Sequence, residues 1–373
     1  MQFSLTEEHA QVAATVRQLL ADGAHNADNA SSADSATAAP DRLNGDLLAT
    51  LAKLDLLGLA VPEALGGAGA TTLELVVLAE EIGAALPLVP FAASAVVSTL
   101  VLAAHEEPEA HAALSRLVDG TATSTTAWMT FPGELRTGSP AGTVNLRLAD
   151  GAVSGELVAI PFGADADFLL VFVNDTTALL DLTSPGVRRT RTASFDLSEP
   201  TASIRLDGVP PLFLSTPAQT AKAIRRVAPA ILTALAGELL GTGRQALDNA
   251  IAYANQREQF GRVIGSFQAL KHMLADRYVQ LEAARGLVHY AAWACEGPQP
   301  GAELAARGAL AAASDAALAA AADNLQTHGG IGFTWEQSAH RYLRRARARR
   351  SLLGTPARQL DHIAERILTP ARG

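Results

Sequence analysis

The sequence predicts a mostly α-helical protein with a central β unit, and three observations carry that prediction. Alanine- and leucine-rich stretches with apolar residues at helical spacing dominate both ends of the 373-residue chain. Between them, from about 121 to 215, short β-rich runs alternate with turn residues. Beyond 216, four long helical patterns follow one another with brief interruptions, as in a four-helix bundle. The expected division is an N-terminal helical domain over 1–120, a small antiparallel barrel or sandwich over 121–215, and a C-terminal four-helix bundle over 216–373.

Taken in order, Thr6 ahead of Glu7 and Glu8 suits a first helix, because a side-chain oxygen and negative charge satisfy exposed amides there. The polar stretch "HNADNASSADSATAAP" (25–40) predicts a surface loop or insert. Leu47, Leu48, Leu51 and Leu54 recur at helical spacing until Gly58 and Pro62 stop the helix. "TTLELVVLAEEIGAAL" repeats the pattern, with Thr72 as its cap. In the middle region Asp150-Gly151, Asn174-Asp175 and Asp207-Gly208 read as hairpin-type breaks. The bundle begins with a helix of some 40 residues, and its last helix covers "SAHRYLRRARARRSLL".

Composition narrows the function. The net charge of −9 argues against a general nucleic-acid binder, which needs a broad basic face. Cys295 is the only cysteine, so neither a disulfide framework nor a cysteine-based metal site is expected. The N-terminus carries acids where a signal peptide has a basic region, and no unbroken apolar run approaches the ~18 residues of a membrane span. The reading is a cytoplasmic protein.

Two stretches carry chemistry. In "QREQFGRVIGSFQALKHMLAD" (256–276), Gly261 and Gly265 permit a tight connection between helices. Ser266 is placed to cap the next helix, so that its amides and Arg257 converge where a pyrophosphate could sit. The alternative is a plain helical hairpin with Arg257 paired to Glu258 or a bundle acid. In "LQTHGGIGFTWEQSAHRYLRRA" (325–346), Gln326 precedes Gly329, Gly330 and Gly332, where backbone can approach a ligand closely. It follows a helix, not a strand, and so is no dinucleotide-binding fingerprint. His328 reads more readily as a satisfied helix-end histidine than as a catalytic one.

These two stretches, set after an α-then-β order, resemble the flavin-dependent acyl-CoA dehydrogenases. "LLGLAVPEALGGAGATTLELVVLAEEIG" is similar to that family's glycine loop between helices, and "AWMTFPG" (127–133) stands where the family carries its flavin loop. The resemblance implies an FAD site shared between subunits. Arg257 would bind the pyrophosphate, Phe260 would pack on the adenine, and Gln268 would bond the diphosphate–ribityl region. Gln326, Gly329 and Gly330 would come from the neighbouring subunit to hold the adenosine half. Thr130 matches the flavin-loop threonine, and Gly354-Thr355 the Gly-Thr at the cofactor's edge. An acyl-CoA substrate, an electron-transfer flavoprotein as acceptor, and a homo- or hetero-oligomer (dimer, or tetramer such as α2β2) are implied with it.

The pattern breaks at the base. The family's α,β-desaturation removes an α-proton while a hydride leaves the β-carbon for flavin N5, and the usual glutamate precedes the Gly-Thr. Here Leu353 stands in that position, and the alternative position on the first bundle helix is Ile231. Glu238, two turns further along, has two readings: a displaced base or a bundle acid paired with arginine. Phe131 replaces the flavin loop's usual acid. Three readings follow: a dehydrogenase with a relocated base, a partner subunit whose catalytic glutamate another chain supplies, as in heteromeric actinobacterial enzymes of steroid side chains, or an oxygen-using flavoenzyme.

Overall fold

The computed structural model describes residues 5–30, 43–132, 135, 145–297 and 301–368. Helix α1 (Glu7–Ala30) starts where the Thr6 hydroxyl accepts the His9 amide at 3.3 Å. It runs six residues into the expected 25–40 loop, because an alanine every third residue keeps helix propensity high there. Residues 31–40 of that loop lie outside the described residues. Helix α2 (Gly45–Lys53), capped by Asn44, ends before Gly58, where Asp55 turns into the left-handed region at φ 57°. For α3 (Thr72–Ala85) the cap is Thr71, not Thr72: Thr71 keeps extended backbone and forms a reciprocal capping box with Glu74. A π-helical stretch (Phe91–Ser98) leads into α4 (Thr99–Ala103), and α5 (Pro108–Val118) follows.

Among the described residues the middle region forms two four-stranded sheets with no closed barrel. One has the order β1 (Ser124–Thr126), β4 (Phe168–Val173), β5 (Thr176–Asp181), β8 (Phe213–Leu214); the other β2 (Asn145–Ala149), β3 (Ala152–Pro161), β7 (Thr201–Val209), β6 (Val187–Thr192). The β1–β4 pair is parallel, a departure from the antiparallel expectation. Asp150-Gly151 and Asn174-Asp175 are two-residue hairpin turns with positive φ at both positions, the geometry that matches strand twist. Asp207-Gly208 is not a turn. It lies inside β7, where Gly208 at φ 62° absorbs a register shift against β3 and gives its N–H to the Ser154 hydroxyl. Val153, Leu157, Ile160, Leu169, Val171 and Ile204 fill this unit's own core.

The bundle comprises α6 (Pro217–Gln256), α7 (Gln268–Cys295), α8 (Ala302–His328) and α9 (Ala339–Arg349), with α10 (Pro356–Leu368) after a turn. The last expected helix thus stops at Arg349 and restarts at Pro356, whose fixed φ suits a first helical turn. Ala302–Phe333 has the length and mean hydropathy (1.2) of a bilayer span, but 61% of its apolar window is buried against the rest of the fold. Helix α3 crosses α6 at a glycine pair. A Cβ on Gly83 would come within 1.9 Å of the Glu238 carbonyl oxygen, and one on Gly241 within 1.8 Å of Glu80's. Only glycine allows that approach, and Thr242 closes it with a hydroxyl bond to the Gly83 carbonyl at 2.9 Å.

Candidate functional site

At one end of the bundle the α6–α7 connection is a small hairpin, β9 (Glu258–Gln259) against β10 (Arg262–Val263). Its tip is Phe260-Gly261, with φ of 55° and 75°. The left-handed backbone at a phenylalanine is unusual, and it throws the ring outward, 93% exposed. Phe267 braces the tip, meeting Phe260 edge-on at 6.2 Å and taking the Arg262 guanidinium over its face at 4.1 Å. Arg257 is exposed, its carbonyl accepting the Ile264 amide at 2.8 Å, and its guanidinium pairs with no acid among the described residues. Among the described residues neither Glu258 nor a bundle acid takes the place that the paired-hairpin alternative assigned to it. Ser266 does not cap α7: its hydroxyl donates to the Val263 carbonyl, and Phe267 occupies the cap position with Gln268 exposed as the first helical residue. Gly265 packs closely on the Ala254 carbonyl.

The Gln326–Gly330 segment lies at the same end. Tyr253, one turn before Arg257, stacks on His328 at 4.2 Å, which holds the C-terminal ends of α6 and α8 together. His328 is buried with Nδ1 at 2.9 Å from the Asn324 carbonyl, as a satisfied helix-end histidine should be. Gln326, Gly329 and Gly330 are exposed, Gly329 is left-handed at φ 63°, and nothing stands within 4 Å of a Cβ at either glycine. Ile331, Phe333 and Trp335 continue this exposed apolar rim. Six of the anticipated cofactor residues are thus gathered on one open, cationic and aromatic surface that can receive an anion and a planar ring.

The remaining anticipated residues sit elsewhere. The Thr130 hydroxyl donates to the Ala127 carbonyl at 2.7 Å and accepts the Phe172 amide at 3.1 Å, so its hydrogen is committed within the chain. Next to it Trp128 and Phe131 are buried and stacked, and the Trp128 indole N–H has no partner among the described residues. Gly133, the loop's last glycine, lies outside the described residues. Gly354 takes φ 96°, and Thr355 caps α10 through its hydroxyl to the Arg358 amide. Gln359, itself buried, bridges this turn to the bundle: it donates to the Leu353 carbonyl and accepts from Arg307 at 2.7 Å. Leu353 is 3% exposed and Ile231 0%, both within the same apolar core as Trp128 and Phe131.

Glu238 is 1% exposed, and its Oε1 accepts from Arg345 at 2.5 Å and Arg349 at 3.0 Å. Glu238 is thus a bundle acid paired with arginine, and the same two arginines also take three partners from the β unit. Arg345 also donates to Asp196 at 2.5 Å and to the Ser198 hydroxyl at 2.9 Å, and Arg349 donates to Glu199 at 2.8 Å. The signal for these is the run "SFDLSEP" (194–200), which sets an acid, a serine and an acid within four residues. Burial acts to raise the Asp196 carboxyl, but the Arg345 charge and bonds from Ser198 outweigh it and hold it low. Burial prevails at Glu199, which is held above the ordinary range despite Arg349 and Arg345. Arg345 is locked in its charged form: burial opposes this, and Asp196, Glu199 and Glu238 together overcome it. Among the described residues no cluster of three metal-ligating side chains occurs.

Comparisons with known proteins agree with this architecture. Residues 6–121 match the acyl-CoA dehydrogenase N-terminal domain and residues 233–368 the acyl-CoA dehydrogenase C-terminal domain. Over 323 residues, 85% of this chain, it is 36% identical to acyl-CoA dehydrogenase FadE34 of Mycobacterium tuberculosis, of whose length it spans 41%. It is 33% identical to acyl-CoA dehydrogenase IpdE2 of the same organism, covering 97% of this chain and 98% of that one. Among solved structures, a variant of the Tcur3481-Tcur3483 steroid ACAD superposes with a TM-score of 0.82 at 30% identity over 98% of this chain and 99% of that one. A chain of the ChsE4-ChsE5 complex from Mycobacterium tuberculosis gives 0.82 at 27% identity, with both chains fully covered.

Proposed function

The chain belongs to the acyl-CoA dehydrogenase family of oxidoreductases, and from that premise we propose that it serves a cytoplasmic, FAD-linked acyl-CoA dehydrogenase as the subunit that lends cofactor-binding residues while another chain supplies the catalytic glutamate. The observation that carries this reading is the apolar, buried state of both base positions, Leu353 and Ile231. A leucine and an isoleucine accept no proton, and general-base catalysis needs a carboxylate within hydrogen-bond reach of the substrate carbon.

The residues present fit one half of FAD. Arg257, which pairs with no acid among the described residues, would take the pyrophosphate; the outward Phe260 ring would cover the adenine; Gln268 at the start of α7 would bond the diphosphate–ribityl region. The exposed Gln326 and the open backbone of Gly329 and Gly330 would hold the adenosine half across a subunit boundary. At the other half, Thr130, Gly354 and Thr355 would line the cofactor's edge, with the Thr130 hydroxyl left only as an acceptor. When bound, FAD supplies the hydride acceptor of the family's desaturation. This chain's part is to hold and orient it and, through the packed Trp128, Phe131 and Leu353, to exclude water. The resemblance to proteins named as steroid ACAD and ChsE4-ChsE5 pairs supports a heteromer and a bulky acyl-CoA thioester as substrate; an electron-transfer flavoprotein as acceptor is the family expectation carried with this proposal.

A second reading keeps the reaction in this chain with Glu238 as base. It rests on one observation: Oε2 of Glu238 is buried with no partner among the described residues. Against it stand the two guanidiniums on Oε1, which hold the carboxylate in place. The visible spectrum separates the readings. The chain purified alone should hold little flavin and show no bleaching by acyl-CoA, while the co-expressed complex holds flavin and bleaches. Bleaching by the chain alone, abolished by Glu238→Gln, would overturn the partner-subunit reading.

A further inference from the structure

Away from these residues, a cleft of about 220 Å³ opens where the loop ahead of α3, the end of α4, the first half of α6 and the end of α7 meet. Its floor is Leu100, Ala103, Val227 and Ala230, and its wall carries two opposite charges. Arg226 is exposed at the cleft, and no acid or acceptor among the described residues engages its guanidinium. Glu296 is held in place by the Thr72 amide, which donates to its Oε1 at 2.7 Å. Burial pushes the Glu296 carboxyl above its ordinary range, and the nearby Glu74 adds to this, so a cation beside it would be welcome. The two charges share a cleft without pairing with each other.

We infer that this cleft binds a small zwitterion of the aliphatic α-amino acid class, with its carboxylate on Arg226, its ammonium on Glu296 and its alkyl group against Leu100, Ala103, Val227 and Ala230. Size agrees: a cleft of about 220 Å³ has room for a molecule as small as valine. An amine or a carboxylate alone engages one of the two charges, whereas a zwitterion engages both. The site shares no residue with the proposed FAD contacts, so it stands or falls apart from them.

Cys295, the chain's single cysteine, lies on the cleft wall and reports occupancy. The full chain, or its complex if it is purified as one, is alkylated with iodoacetamide at pH 9 and the modified peptide is followed by mass spectrometry. L-valine or L-leucine at 10 mM is expected to slow labelling about fivefold, a dissociation constant of roughly 2.5 mM. Butyrate and isobutylamine at the same concentration should leave the rate within about twofold. Arg226→Gln and Glu296→Gln should each remove the protection, with thermal melting confirming the fold; Arg226 is exposed, and a glutamine at 296 keeps an acceptor for Thr72. No protection by either amino acid overturns the proposal. So does protection that survives both substitutions, or equal protection by butyrate, which would mark a plain carboxylate site.

Discussion

Replacing Arg345 with leucine strands Asp196 and Glu238 as buried carboxylates that have lost a guanidinium partner. Removing one member of a buried charge cluster costs about 3–5 kcal/mol, since the desolvation of the others is no longer offset. For a chain of 373 residues unfolding cooperatively, about 2.1 cal/mol/K per residue gives an entropy near 0.8 kcal/mol/K, so the melting temperature should fall by roughly 4–6 °C at pH 8. The loss should shrink towards pH 5. Asp196 has a lowered carboxyl, so its contribution is present above its unfolded value and disappears as pH falls through the folded one. Glu199, with its raised carboxyl, does the reverse, costing stability as pH rises. In the variant Asp196 also loses its depressing partner, so acid neutralises the surplus charge and the gap from wild type narrows. Scanning calorimetry of wild type, Arg345→Leu, Glu238→Leu and the double substitution at both pH values reads this directly. An unchanged melting temperature in Arg345→Leu, or strict additivity of the two single losses, would refute the clamp.

Four further outcomes are expected. Phe260→Ala should leave the stability of the isolated chain within about 0.5 kcal/mol, because the ring is 93% exposed, yet lower the flavin content of the assembled enzyme measured at 450 nm. Gly241→Ala should cost at least ~1–3 kcal/mol by chemical denaturation, since its methyl group would be driven against the Glu80 carbonyl. Burial pushes the Cys295 thiol from 9.0 up to about 11, so at pH 8 it should be alkylated about 100-fold more slowly than an unperturbed thiol. Glu238→Gln in the assembled enzyme should lower the melting temperature while leaving acyl-CoA bleaching of the flavin intact.

Much of this was legible in residue patterns. Helical spacing, the Asp150-Gly151 and Asn174-Asp175 turns and the Arg257–Gln268 stretch all report local backbone, and local rules decide them. What the sequence hid was non-local. Asp207-Gly208 has the same composition as a hairpin turn, but only pairing with β3 makes it a bulge. Ser266 looked like a cap until the hairpin geometry turned its hydroxyl back on Val263. The Arg345 partner at 196 and the Arg349 partner at 199 lie some 150 residues away, and no periodicity links them. Leu353 and Ile231, by contrast, stood out at once, because a missing carboxylate can be read wherever its position is known.

Glu238 touches three parts of the molecule at once. Its carbonyl lies under Gly83 of α3, its backbone runs in α6, and its carboxylate reaches the arginines that grip the 196–199 loop of the β unit. The 196–199 loop of the β unit is thus tied to α3 and α6 through one residue, so a substitution at 238 disturbs three elements together, while the separate Thr177–Thr220 contact still joins the β unit to α6.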